Sequence, residues 1–470
     1  MTCKPSPLNR LTLLVVCVTI LGLTSCQPPL KLECQSPEQP PISLEPSENI
    51  NIAIQVDATP SMAGFVKTDR QSNYEQTLEI LDTTAAASWA RTKAKINYYA
   101  FGTERRQITR SSYIQARKPD FYNIGGVFND GQLTAAISKL NKGKSPSLSV
   151  IVTDLYQTDS DITSVLEQLK KLYLQQDMAV GVLGIKSQFA GTVFDIGINK
   201  LTRVYRTTNA KPDTYRPFYV MFLGKYHDIV YYFRKLQEKN SELFPGENFV
   251  IFYPSLIQQV SQFDLNSLPS EISKTKDDKK DKSLRKIRAI NFRGINGRVN
   301  QPGKLETLRI SADAKDASEV KYRVRYFPLP YTLPIDVNGG IQAQQSTQLY
   351  DNKEFEPYNR EIMQYSDWSI SNNGDEKRLT FNTIFNPDQI DDGIYQIRTR
   401  LVINKTAGKE WWEKWNFDER QFDRTNSANF NGATTLNLLP FMQGLKGIVD
   451  DLNTQKPSTA AELCFAIQRD

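Results

Sequence analysis

Residues 48–61 read Glu48-Asn-Ile-Asn-Ile-Ala-Ile-Gln-Val-Asp57-Ala-Thr-Pro-Ser61. Ile52, Ile54 and Val56 alternate with Ala53 and Gln55, and no charge interrupts them. This is the pattern of a strand buried inside a sheet. The strand ends at Asp57, and the turn beyond it offers Thr59 and Ser61. Oxygen-bearing side chains on alternate residues just past a strand's carboxyl end can converge on one point, which is where open α/β sheets bind their ligands. An oxygen-only donor set suits a hard cation such as Mg2+.

The flanking chain repeats the theme. Leu148-Ser-Val-Ile-Val-Thr-Asp154 is a second apolar strand closed by an aspartate. Between the two, Tyr74, Leu78, Leu81, Ala85 and Trp89 fall at helical spacing, and Lys95–Phe101 reads as a strand closed by Gly102. Residues 104–128 read as a long loop with an edge strand. Gly131–Leu140 reads as a helix with Asn129 or Asp130 as its cap. Further on come a helix around Ile162–Leu174, a strand at Met178–Ile185 and a β-excursion at 188–206. Phe218–Phe222 is a strand, Tyr226–Lys239 a helix and Asn248–Tyr253 a last strand. Strands alternating with helices predict an α/β region over 49–260, a doubly wound, mostly parallel sheet covered on both faces.

Past this region the composition shifts. Residues 261–288 read as a charged linker carrying Lys276-Asp-Asp-Lys-Lys-Asp-Lys282. Over 289–436 the period becomes two. Tyr322, Val324 and Tyr326 alternate with Lys321, Arg323 and Arg325, and Tyr395, Ile397, Thr399 and Leu401 alternate with Gln396, Arg398 and Arg400. One dry and one wet face predict antiparallel strands in a β-sandwich-like domain. Residues 437–470 read as an amphipathic helix (Leu438, Met442, Leu445, Val449, Leu452) followed by a tail. Trp411, Trp412 and Trp415 could stack on a sugar or base, but alternate aromatics filling the sandwich core, one covering an edge, is the favoured reading.

Composition narrows the function. Of 470 residues, 58 are Lys or Arg and 52 Asp or Glu, a net charge of +6 without a dense basic stripe, which argues against nucleic acid. His227 is the single histidine, which leaves His-base catalysis and His-rich metal sites without material. Gly181-Val-Leu-Gly184-Ile-Lys186-Ser187 lacks the spacing of a phosphate loop, and neither Gly-x-Ser-x-Gly nor His-Glu-x-x-His occurs. Residues 1–25 carry Lys4 and Arg10 before an apolar run from Leu11 to Leu23, shorter than the ~20 residues that span a bilayer. Prolines 28, 29, 37, 40, 41 and 46 make 26–48 an extended tether. Beyond Cys26, only Cys34 and Cys464 remain. They form a disulfide joining the tether to the far end of the chain, or stay as two thiols.

Two resemblances add to this. Leu23-Thr24-Ser25-Cys26 resembles the bacterial lipobox, which implies a signal peptide, acylation of Cys26 and a membrane lipoprotein facing the periplasm or cell exterior. Asp57-x-Thr59-x-Ser61 with Asp154 resembles the metal-ion-dependent adhesion site of the von Willebrand factor type A domain. That family carries Asp-x-Ser-x-Ser after its first strand, a Thr from a middle loop and an Asp after a later strand. The resemblance implies Thr59 and Ser61 as direct ligands of Mg2+ (or Mn2+ or Ca2+), with Asp57 and Asp154 acting through water. Thr134 is the nearest threonine for the middle-loop slot but falls inside the expected helix, and Asp130 is better placed. Leu155 stands where a Gly commonly follows the Asp. The implied work is binding, not catalysis: divalent-cation-assisted capture of a protein presenting an acidic residue. The rival readings are a metal-assisted hydrolase and a structural envelope-assembly protein without a working metal site.

Overall fold

The computed structural model describes residues 41–123, 125–137, 147–155, 162–196, 201–208, 211–262, 284–287, 307–310, 318–351, 354–373, 376–385, 390–417 and 430–469. Its first part is built on a seven-stranded sheet. The strands are β1 (Asn51–Asp57), β2 (Lys95–Phe101), β3 (Arg105–Ile108), β4 (Ser147–Thr153), β5 (Ala179–Ser187), β6 (Arg216–Gly224) and β7 (Phe249–Phe252). They lie in the order β7-β5-β6-β4-β1-β2-β3. Ile52, Ile54 and Val56 of β1 are fully buried, as their alternation requires. Gln55 is equally buried, its Nε2 donating to Ser149 Oγ at 2.6 Å and to the Ala136 carbonyl at 3.1 Å.

The sheet is mixed, not mostly parallel. β1 runs parallel to β2 and to β4, while β2–β3, β4–β6, β6–β5 and β5–β7 are antiparallel. The departure has a local cause. The chain leaves β5 through a hairpin (Ala190–Ile196 with Leu201–Arg206) instead of a helix. Without a crossover helix it returns beside β5 in the opposite sense. β6 thereby wedges between β4 and β5, two strands that helix α2 (Ile162–Leu172) joins in sequence.

Helix α1 (Asn73–Ala86) opens with a capping box: Ser72 Oγ accepts from the Glu75 amide at 3.2 Å, and Glu75 Oε2 accepts from the Ser72 amide at 2.7 Å. It buries Tyr74, Leu78, Leu81 and Ala85. Trp89, expected on the same helix, lies past its end in a short strand and is also buried. The described part of the next predicted helix is Leu133–Ala136, with Gln132 at its N-cap position instead of Asn129 or Asp130 and no side-chain cap. Helix α3 (Tyr226–Lys239) matches its predicted span.

The part of the tether that is described is docked on the sheet region. Ile42 N donates to the Gln258 carbonyl at 3.0 Å, Ser47 N to Asp228 Oδ1 at 2.7 Å, and Trp89 Nε1 to the Ser47 carbonyl at 2.8 Å.

The second part has two further sheets. One is antiparallel, built from Ile257–Gln259, Ser318–Pro328, Glu376–Phe385 and Met363–Asn373. The other contains Leu284–Ile287, Thr307–Ile310, Ser458–Arg469, Gly393–Ile403, Ile341–Asp351 and Glu354–Tyr358, with Ser261–Gln262 at its side. The buried faces of these sheets share one apolar cluster, and Tyr365 Oη meets Thr399 Oγ1 across them at 2.7 Å. Ser261–Gln262 and Leu284–Ile287 fall within the stretch expected to be linker. A short edge strand gains its backbone pairs without an apolar run, so charge-rich composition concealed it. Ser458–Arg469, expected to be a tail, is a strand paired along its length with Gly393–Ile403. The cause is the Ala-Ala-Glu-Leu-Cys-Phe-Ala-Ile run, whose Leu463, Phe465 and Ile467 are buried.

Helix α4 (Leu438–Gln455) lies where the 438–452 pattern put it, but it packs back on the first part. A Cβ on Gly444 would stand 2.4 Å from Leu166 of α2. The tryptophans are buried as favoured, though not between the sandwich sheets and not on a strand. They sit on and just after the short helix Glu410–Lys414, where Trp415 and Trp411 press on Gly184 of β5 and Trp412 stacks on Phe252 of β7 at 6.0 Å. Among the described residues, no helix is long and apolar enough to cross a membrane.

Candidate metal centre

β1 and β4 are neighbours in register, Val56 opposite Val152, so their two terminal aspartates emerge side by side at the carboxyl end of the sheet. Asp57 and Asp154 are 1% and 2% exposed. The turn after β1 continues as a short 3-10 helix, Pro60–Phe65. It folds Thr59 and Ser61 back over the strand end, and both are buried. Thr59 donates twice to Asp57 Oδ1, from its amide at 3.1 Å and its hydroxyl at 2.6 Å. The Thr59 and Ser61 hydroxyl oxygens are 3.0 Å apart.

The other Asp57 oxygen accepts from Thr153 Oγ1 at 2.9 Å. The same Thr153 oxygen accepts from the Leu155 amide at 3.1 Å, which fixes the turn that carries Asp154. Leu155 has φ +61°, in the left-handed region that favours glycine. Burial, and after it the neighbouring Asp154 charge, pushes the Asp57 carboxyl up to about 7 despite the three hydrogen bonds it accepts.

Arg216, which no sequence motif marks, also belongs to this centre. Tyr219 of β6 pairs with Thr153, so the residues before Tyr219 run on past the end of β4. Only an antiparallel strand brings its own beginning to this end of the sheet. Arg216 is 6% exposed, and its Nη2 lies 3.8 Å from Asp154 Oδ2. Its Nη1 donates to the carbonyls of Gly432 and Thr434 at 3.2 and 3.3 Å, and its guanidinium lies over the Phe189 ring at 5.4 Å. Burial lowers the Arg216 pKa, and Asp154 is the largest opposing influence. The available signal was a charge at the very start of an otherwise apolar strand.

A cover closes the centre. A Cβ on Gly64 would stand 2.3 Å from the Phe189 ring, and one on Gly191 would stand 2.7 Å from the Gly64 Cα. The hairpin's Tyr205 packs in turn on Gly432. The turn bearing Thr59 and Ser61 is therefore sandwiched between the sheet end and the hairpin.

The remaining predicted residues stand apart by burial. The middle loop does reach this end of the sheet, since Gln132 N donates to the Gly102 carbonyl at 3.2 Å and Ala58 N to that of Phe101 at 2.9 Å. Asp130 on it is nevertheless exposed, and Thr134 is half-buried within Leu133–Ala136. Cys26 and Cys34 lie outside the described residues. Cys464 is disulfide-bonded.

The donor set fits a hard cation. Octahedral Mg2+ with ligands at about 2.1 Å has neighbouring ligand oxygens about 3 Å apart. The Thr59 and Ser61 hydroxyls, hydrogen-bonded to each other at 3.0 Å, have a spacing compatible with such an edge.

No family model matches the chain, and no curated protein or solved structure matches it.

Proposed function

We propose that the protein is a membrane-tethered, extracytoplasmic binding protein whose first part is a von Willebrand type A-like domain with a divalent-cation site. The observation that carries this is the cluster of Asp57, Thr59, Ser61 and Asp154, all buried at one sheet end, with hydroxyls spaced as an octahedral edge. β1 at the middle of β4-β1-β2, with β3 returning antiparallel outside, also supports it. The wedged β6 is this chain's own departure from a doubly wound sheet. Thr59 and Ser61 would hold Mg2+ or Mn2+ directly, with Asp57 and Asp154 in its shell, and the cation would attract a partner's carboxylate. The partner class is a protein presenting an acidic side chain, the membrane link is a lipid on Cys26, and no chemistry is assigned.

Calorimetry on the full chain tests the cation. Binding of Mg2+ or Mn2+ at millimolar concentration, lost in Ser61→Ala, is the expected result. No heat with either metal sinks the reading. One observation favours a second reading: Thr59 and Ser61 are 1% and 4% exposed, so a partner carboxylate reaches them only when the hairpin lifts. In that reading the cation serves envelope assembly by stiffening the molecule. Chelator would then lower thermal stability while leaving partner capture intact.

A further inference from the structure

One side chain links three parts of the centre. Arg216 faces Asp154 through Nη2, holds the carbonyls of Gly432 and Thr434 through Nη1, and lies over Phe189, the residue that seats the hairpin on Gly64. Its Nε finds no hydrogen-bond partner among the described residues. The contact to Asp154 is a long ion pair at 3.8 Å, while Asp57 accepts from neutral donors, Thr59 and Thr153, among the described residues. Arg216 is thus the cation that faces Asp154 among the described residues, at a separation longer than a close ion pair.

We infer that Arg216 is the centre's resident cation, held in place of a metal ion, and that a divalent cation must compete with it for Asp154. The inference rests on the proposed cation site and adds what governs its loading. Like charges in a dry pocket repel strongly, so an incoming Mg2+ and the guanidinium cannot both pair fully with Asp154. The ion that enters loosens Arg216 from Asp154. Arg216 also anchors the 430–436 segment and lies against Phe189, the residue just before the hairpin, so metal entry and release of the cover become one event. A site built this way stays shut at low divalent concentration and opens above a threshold that Arg216 sets.

The test uses the full chain and four variants: Arg216→Gln, Arg216→Lys, Asp154→Asn and Arg216→Gln with Asp154→Asn. Thermal unfolding is read in chelator and in millimolar Mn2+, and Mn2+ affinity by calorimetry. The expected results are that R216Q melts lower in chelator, recovers with Mn2+ and binds Mn2+ roughly ten-fold more tightly than wild type, because a competitor is gone. R216K, which keeps the charge, should stay near wild type in chelator. The double variant should regain in chelator what R216Q lost, since removing both members of a buried pair costs less than removing one. Mn2+ binding by R216Q that is unchanged or weaker overturns the inference, as does a double variant no more stable than R216Q. If no form binds Mn2+, the cation reading falls. The chelator arm then decides alone: recovery in the double variant keeps Arg216 as the resident cation, and its absence removes that too. If R216Q does not fold, a folded double variant supports the inference and an unfolded one overturns it.

Discussion

Asp57 contributes a pH dependence to the stability of the fold. Its carboxyl is held at about 7 when folded, against an ordinary 3.8. The folded state therefore keeps a proton that the unfolded state has released. The stability from this group is full below about pH 4 and is lost as pH rises towards 7, after which the curve is flat. In chelator, Asp57→Asn should abolish that fall and leave the variant more stable than wild type at pH 8 by at least about 1 kcal/mol, read by urea titration. A bound divalent cation should flatten the wild-type curve in the same way. A second prediction concerns Leu155. Away from left-handed positions, Gly is less stable than Ala by roughly 0.5–1 kcal/mol. At φ +61° the order should invert, Leu155→Gly unfolding at higher denaturant than Leu155→Ala. Of these residues the sequence displayed Asp57, Thr59, Ser61 and Asp154, because each lies at or just beyond a strand end that its own neighbours define. Thr153 and Arg216 were not legible. Their roles depend on which strand lies alongside, and hence on pairing that one strand's pattern does not state.

At the scale of the element, the hairpin after β5 is the decisive departure. A run of strand and helix patterns reads as crossovers, and the sequence did mark 188–206 as an excursion. What it did not say is that a β-connection returns the chain antiparallel, and so reverses which end of β6 reaches the centre. The same hairpin is the cover, seated by two glycines. Gly191→Ala would push a methyl to 2.7 Å from the Gly64 backbone, where neither side yields cheaply. It should cost about 1–3 kcal/mol. Limited proteolysis should then cut the hairpin region faster than in wild type, with Mn2+ exchange accelerated. An unchanged cleavage rate would mean that the hairpin is not held by this contact. The capping box of α1 and the span of α3 were legible because helix ends are written in local residues.

Across the whole molecule, the sequence reading separated two domains by a charged linker, and the described residues join them. One apolar cluster includes Val180, Met221 and Phe252 of the first sheet with Tyr322, Phe381 and Phe465 of the others, and residues of α4 and the tryptophans belong to it too. Shared burial predicts shared cooperativity. Calorimetry should show one unfolding transition, and Phe441→Ala, a truncation of a residue 4% exposed, should lower it as a whole at a cost of about 3–5 kcal/mol. Two separable transitions, only one of them shifted, would contradict this. The join was illegible because it is made by residues with local explanations of their own: an amphipathic helix, an aromatic cluster and an apolar run after a proline.

The strand Ser458–Arg469 lies between strands that come off the ribosome long before it, with Gly393–Ile403 on one flank and Thr307–Ile310 on the other. Until it emerges, both neighbours present raw hydrogen-bonding edges and nothing on hand to satisfy them. The order of synthesis therefore runs against the order of assembly. For that interval the nascent chain is exposed to stray pairing with other chains, and a chaperone that shields strand edges would find its client in this window.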